Sequence, residues 1–275
     1  FFQLESCSSS RLFLAPLVLR RSLQMHMPTP SQHKVFLSKL RDYRNKYLKS
    51  KYADLDESAT RLMINTFLTD ILGYAELEEI RTEHMISGAY ADYVIQVDRK
   101  KHLVVEVKAI QIDLSENHLR QAVGYVANEG IDWVLLTNGR SFEVYRVIFK
   151  KPITYKRLFA FDLRDVSGLK DAAEGLLLLH KRFLTHGELD AFWKRFQALE
   201  PNNLCKYLYS KDVIRFLRRI LKRDAHLAFS ETDILDSVHE IIVNKIESQK
   251  PKLPLGSMAR QMRNTNAKEK DNTIV

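Results

Sequence analysis

Asp92, Glu106 and Lys108 are the residues of this 275-residue chain whose types and spacing could do chemistry. They stand in Ala91-Asp92-Tyr93-Val94-Ile95 and in His102-Leu103-Val104-Val105-Glu106-Val107-Lys108-Ala109-Ile110, two apolar runs broken by a few charges. In a strand, residues two apart share a face. Glu106 and Lys108 then point one way, and Leu103, Val105, Val107 and Ala109 the other. A register that sets Asp92 across from Glu106 makes two carboxylates face each other, which is destabilising unless a cation lies between them. Two close carboxylates and a backbone carbonyl form a hard oxygen site suited to magnesium, and magnesium beside a lysine suits hydrolysis of a phosphodiester. A cross-strand salt bridge on a wet sheet face is the routine account of such charges, so order and context must supply the case for a metal site.

These side chains need elements to position them. From Ser31 to Lys51, Val35, Phe36, Leu40, Tyr43 and Tyr47 recur at helical spacing among basic residues, which predicts an amphipathic helix. Asp54-Leu55-Asp56-Glu57 reads as a second helix start, with Glu57 placed to complete a capping box with Asp54. Ile64, Phe67, Leu68, Ile71 and Leu72 form its apolar face and Gly73 its stop. Beyond it the period changes from helical to alternating, predicting strands over 79–85, 91–97 and 102–110 with a polar turn from Asp98 to Lys101. A helix over 115–128 ends at Gly130, and Ile131, Trp133, Val134, Leu135 and Leu136 predict a strand covered on both faces. Asn138-Gly139 turns into a further strand over 142–149. The order of helix, three strands, helix, strand and strand is that of an α/β layer on a mixed sheet. After Asp162 the spacing predicts helices alone, over 170–184, 188–198, 210–223 and 231–246.

Composition bounds the function. With 45% hydrophobic and 28% charged residues the chain is of soluble globular type, which excludes collagen-like and wholly disordered classes. No apolar run reaches the 18 or so residues of a membrane helix, so no membrane span or membrane partner is expected. Cys7 and Cys205 are too far apart in sequence to frame a disulfide scaffold or a cysteine zinc site, and Cys205 reads as a core residue. No glycine precedes a lysine, and the His-Glu-x-x-His and Gly-x-Ser-x-Gly patterns are missing, so ATP motors, common zinc proteases and serine hydrolases are not indicated. The net charge of +9 is concentrated toward the C-terminal part and suits a polyanionic partner. There, Arg215, Arg218, Arg219, Lys222 and Arg223 make one helical stripe opposite Val213, Leu217, Ile220 and Leu221. Such a stripe is either a solvated face or a phosphate-contacting helix beside the cleft.

Five pieces fall in one order: Glu57-x-x-Thr60-Arg61, Leu72-Gly73-Tyr74, Asp92, Glu106-Val107-Lys108 and Gln121-Ala122-Val123-Gly124-Tyr125. Together, from near Asp54 to near Arg146, they resemble the PD-(D/E)xK restriction-endonuclease-like core, αβββαβ on a mixed sheet. Within it they are most similar to the N-terminal nuclease domain of type I restriction enzyme R subunits, in which Gln-x-x-x-Tyr follows the catalytic strand. The resemblance implies that Asp92 and Glu106 bind Mg²⁺, or Mn²⁺ in its place, with the Val107 carbonyl as another ligand. Glu57 would bind through water or hold a second metal. It implies that Lys108 orients or activates the attacking water, and that Gln121 and Tyr125 touch DNA phosphates or the lysine. The function implied is a Mg²⁺-dependent DNA endonuclease of the cytoplasm, acting on DNA with other restriction-system subunits or a motor protein as further partners. No ATP site is expected in this chain, because no helicase motor follows the core. The alternative is a non-catalytic DNA-binding or assembly module that keeps the fold. The organisation expected is a disordered or non-native leader over 1–26, with Met25 or Met27 a better natural start. A nuclease-like domain over 27–162, a helical domain over 163–248 and a disordered tail over 249–275 follow.

Overall fold

The computed structural model describes residues 28–86 and 89–244. The leader, its methionine start, Cys7 and the tail lie outside the described residues. The chain divides into two compact units, Phe1–Phe196 and Gln197–Val275.

In the first unit, helix α1 (Pro30–Tyr47) starts where Thr29 and Gln32 cap each other: Gln32 N–H donates to the Thr29 hydroxyl at 3.3 Å, and Thr29 N–H donates to Gln32 Oε1 at 2.7 Å. Helix α2 (Glu57–Thr66) is capped by Asp56, whose carboxylate accepts from Ala59 N–H at 2.8 Å. Glu57 is therefore the first helical residue and not the capping partner expected for Asp54; its carboxylate meets Arg61 and Lys108 instead. The helix continues through a π turn (Phe67–Ile71) and stops at Gly73, whose φ of 78° suits glycine. A single helical turn, α3 (Glu76–Glu79), leads into the sheet.

The sheet has six strands in sequence order: β1 (Ile80–Ile86), β2 (Ala89–Val97), β3 (Lys100–Val107), β4 (Trp133–Thr137), β5 (Ser141–Ile148) and β6 (Thr154–Asp162). Only β3 and β4 pair in parallel, joined by the crossover helix α4 (Glu116–Glu129); the other neighbours are antiparallel. The mixed α/β layer is as expected, but β6 was not. It lies at the sheet edge with side chains partly exposed on both faces, and a bulge at Val144/Tyr145 breaks the register of its partner, so clean alternation is lost.

Both sheet faces are covered. Tyr93, Ile95, Leu103, Val105 and Val107 join Phe36, Leu40, Ile64 and Phe67 of the α1–α2 side, where Phe67 and Phe142 pack with ring centroids 4.6 Å apart. On the other face Val94, Val104, Val134 and Leu136 meet Leu119, Ala122, Tyr125 and Val126 of α4. Full burial of each such side chain contributes about 1.5–3 kcal/mol, so the strands that carry the charged residues are held from both sides.

Helices α5 (Leu169–Leu176), α6 (Lys181–Thr185) and α7 (Glu188–Ala198) follow. Leu169, Leu176, Leu184, Leu189 and Trp193 belong to the α1–α2 core, so the segment after 163 joins the sheet unit where a separate helical domain was expected. In the second unit the described residues form α8 (Pro201–Leu208), α9 (Lys211–Ala225) and α10 (Glu231–Asn244). Cys205, expected in the core, is half-buried on α8. Among the described residues no helix is long and apolar enough to cross a membrane.

Candidate active site

A one-residue bulge brings the carboxylates together. The β2–β3 turn has Asp98 and Arg99 both left-handed, at φ 49° and 64°, and the strands first pair as Val97↔Lys100 and Gln96↔Lys101. The next pair is Ile95↔Leu103, leaving His102 as the extra residue, and the new register continues through Val94↔Val104 and Tyr93↔Val105. Carried one residue further, it sets Asp92 across from Glu106. Without the bulge Asp92 would oppose Val105, and the two carboxylates would fall on opposite faces.

Both groups are buried, Asp92 at 8% and Glu106 at 4% exposure. Asp92 Oδ2 accepts from Val107 N–H at 2.7 Å, and Oδ1 lies 2.6 Å from Arg61 Nη2. The same guanidinium nitrogen donates to Glu57 Oε1 at 2.9 Å. Lys108 Nζ donates to Glu106 Oε1 at 2.7 Å and lies 3.8 Å from Glu57 Oε2, while its backbone N–H donates to Thr137 O at 2.9 Å. Asp92, Arg61, Glu57, Lys108 and Glu106 thus form a chain of alternating charge with one negative charge in excess.

Electrostatics reports the cost of that excess. Burial raises the Asp92 carboxyl above its ordinary value, opposed by Val107 N–H and Arg61. Burial likewise pushes Glu106 up from an ordinary 4.5 to about 7; the Lys108 hydrogen bond opposes this and the Asp92 charge adds to it. Among the described residues, no three His, Cys, Asp or Glu side chains come together as a metal-holding group. A cation here would rest on the carboxylates of Asp92 and Glu106, the Val107 carbonyl, water and a phosphate. Magnesium is commonly held that way, and a facing pair of buried carboxylates fits it. Glu57 meets the cations Arg61 and Lys108, which makes it a group that positions them.

A stability prediction follows from Glu106. Between pH 4.5 and about 7 the folded chain keeps a proton that the unfolded chain has lost, so the metal-free protein loses stability as pH rises through that window. We expect Glu106→Gln, which cannot ionise, to flatten this fall and to raise the thermal midpoint of metal-free protein at pH 8. An equal fall in both proteins would assign the effect to another group.

The Gln121–Tyr125 pair divides. Gln121 is exposed on α4, but Tyr125 is fully buried against the sheet, and burial pushes its phenol up to about 12. The expected contact of Tyr125 with DNA or with the lysine is therefore corrected to a packing role, since its position on α4 faces the β3–β4 layer. Two residues near the centre were missed. Arg61 lies four residues after Glu57, a spacing that puts both on one helix face and could have revealed the pair. His118 accepts from Ser115 N–H through Nδ1 at 3.2 Å in the first turn of α4. Burial and the nearby Lys108 charge lower its proton affinity against the pull of Glu57.

In the second unit, Arg215, Arg218, Arg219, Lys222 and Arg223 are all exposed on α9, with Ile214 as its buried residue. Leu221, expected on the packed face, is 39% exposed. Arg215 and Arg218 lie 3.3 and 3.8 Å from Glu231, and Arg223 pairs with Asp224. Among the described residues Arg219 and Lys222 have no acidic partner. If the stripe meets phosphates, Arg219→Ala with Lys222→Ala should weaken DNA binding and lower its salt slope by about two units. An unchanged slope would leave a solvated face.

Residues 56–158 contain the whole charged cluster, and they match one protein family. It is the type I restriction enzyme R protein N terminus. The matched stretch runs from Asp56, the cap of α2, to Leu158 in β6 and includes Gln121 and His118. No curated protein matches the chain. Among solved structures it is similar to one titled "cryoEM structure DrdV-DNA complex", at 16% identity and a TM-score of 0.35, over 78% of this chain and 21% of that one. The chain thus spans about a fifth of that neighbour's length.

Proposed function

We propose that the chain is a metal-dependent endodeoxyribonuclease of restriction type, hydrolysing DNA phosphodiesters at Asp92, Glu106 and Lys108 with Mg²⁺ or Mn²⁺. The observation that carries the reading is the two buried carboxylates on β2 and β3, Asp92 bonded to Val107 N–H next to Glu106 and Lys108 anchored on Glu106. The order αβββαβ on a mixed sheet supports reading the first unit as a PD-(D/E)xK core. The R-protein match over the same residues supports a restriction system as its setting, in the cytoplasm, with DNA and further restriction subunits or a motor as partners.

A bound divalent ion supplies Lewis acidity at a phosphoryl oxygen and a water of lowered pKa. Asp92, Glu106 and the Val107 carbonyl would hold it. The Val107 N–H and Arg61, 2.6 Å from Asp92, oppose the rise that burial imposes on that carboxyl. Lys108, held by Glu106 and neighboured by Glu57, orients the attacking water and offers its charge to the phosphoryl oxygens as negative charge builds on them. Glu57 steadies both cations and would meet a bound ion only through water. Gln121, exposed on α4, is placed to donate to a backbone phosphate.

A second reading, a DNA-binding or assembly module, draws on the same contacts: both Asp92 oxygens and Glu106 Oε1 already have partners within the chain. The two readings separate on supercoiled plasmid treated with the purified chain, Mg²⁺ or Mn²⁺ and no ATP. Nicked or linear product supports the nuclease; intact plasmid with DNA binding retained supports the module.

A further inference from the structure

A cavity of about 220 Å³ opens in the first unit, lined by Lys49, Ser50 and Ala53 ahead of α2, Ile110 after β3, Arg140 in the β4–β5 turn and Arg164 after β6. It adjoins the charged cluster through the chain itself. Ala53 stands just before α2, whose first residue is Glu57, and Ile110 N–H donates to Leu55 O at 3.2 Å. From Lys108 to Ile110 the backbone spans at most about 7 Å. That is roughly the rise of two nucleotides in a duplex strand.

The cavity is built for an anion. Asn138 fixes the turn: its Oδ1 accepts from Ser141 N–H at 2.8 Å and from Arg140 N–H at 3.2 Å, and its Nδ2 donates to Ile112 O at 2.7 Å. Gly139 sits at φ 81°, a left-handed conformation that a residue with a side chain rarely adopts. Leu163 N–H donates to Arg140 O at 2.9 Å, so the Arg140 backbone is held from both sides. The Arg140 side chain is 15% exposed, and its Nε is buried without a hydrogen-bond partner among the described residues. Its ion-pair partner, Asp113, is 95% exposed, a contact that water and salt screen strongly. A desolvated guanidinium with an unmet donor calls for a stronger acceptor than that. Arg164 also lines the cavity, its guanidinium paired with Asp162 through Nε at 3.0 and 3.1 Å and Nη2 at 2.5 Å.

We propose that this cavity seats a backbone phosphate of the bound DNA strand, one or two nucleotides from the phosphate at Asp92, Glu106 and Lys108. The proposal rests on the nuclease reading and deepens it. Arg140 and Arg164 grip the phosphate and Asp113 swings away, so the site fixes where along the strand the cut falls without reading bases.

The test measures affinity of the full chain for duplex DNA in the absence of divalent metal, with one neutral methylphosphonate moved along a strand. The parent should lose about tenfold at one or two positions flanking the cut. Arg140→Gln and the more exposed Arg164→Gln should bind the native duplex about that much more weakly and ignore the methylphosphonate there, with the salt slope lower by about one. Asp113→Asn, on a fully exposed side chain that cannot unfold the protein, should tighten binding roughly two- to fivefold by removing the competing carboxylate. A parent that binds and cuts DNA while all three variants bind equally well overturns the cavity and leaves the nuclease standing. A parent that binds no DNA overturns both. Thermal protection by inorganic phosphate that Arg140→Gln abolishes, with duplex affinity unchanged, would assign the cavity to free phosphate and overturn its place on DNA.

Discussion

Lys108→Ala is expected to lower plasmid cleavage by at least ~100-fold while leaving DNA affinity within about twofold of the parent. The ammonium lies 15% exposed between Glu106 and Glu57, too enclosed to carry much of the electrostatic attraction to DNA but placed to meet charge that develops at phosphorus. Its loss leaves Asp92 and Glu106 in place, so metal binding should persist and even strengthen as the competing cation goes. Cleavage at the parental rate by this variant would remove Lys108 from the chemistry. A parallel loss of DNA binding would make it an affinity residue.

Asp92→Asn should act differently. An asparagine oxygen can still accept from Val107 N–H, so the β2–β3 register survives, but the carboxylate that faces Glu106 is gone and Arg61 loses its 2.6 Å partner. We expect cleavage to fall at least as far as in Lys108→Ala and not to recover at any Mg²⁺ concentration. Glu106, relieved of the neighbouring negative charge, should titrate nearer its ordinary range. Recovery at high Mg²⁺ would mean that Asp92 tunes the site without ligating, and its role would pass to Glu106 and Glu57.

Much of this centre is legible in the chain. A shared face for Glu106 and Lys108 is read from strand alternation, and although β3 ends at Val107, short of the expected residue 110, the two side chains meet at 2.7 Å. The helices ending at Gly73 and Gly130 follow from glycine at left-handed positions. The register was not legible. It depends on a turn at Asp98-Arg99, which lacks the Asn-Gly or Asp-Gly signature, and on His102 bulging out of an otherwise regular strand. Tyr125 was misplaced because a tyrosine four residues from an exposed glutamine can sit on either side of the helix boundary with the core; packing against Val104 and Val134 decided it. The β6 strand and the merging of 163–196 into the sheet unit are tertiary outcomes: apolar helices of that length pack against each other or against a sheet with the same spacing.

The nuclease chemistry proposed for this site requires that Asp92 and Glu106 hold one cation between them. The direct measurement is a Mn²⁺ titration at pH 8 followed by electron paramagnetic resonance, on the parent, Asp92→Asn and Glu106→Gln. One bound ion per parent chain, lost in both variants and displaced by Mg²⁺, is the predicted result. Equal Mn²⁺ binding by all three proteins would contradict it.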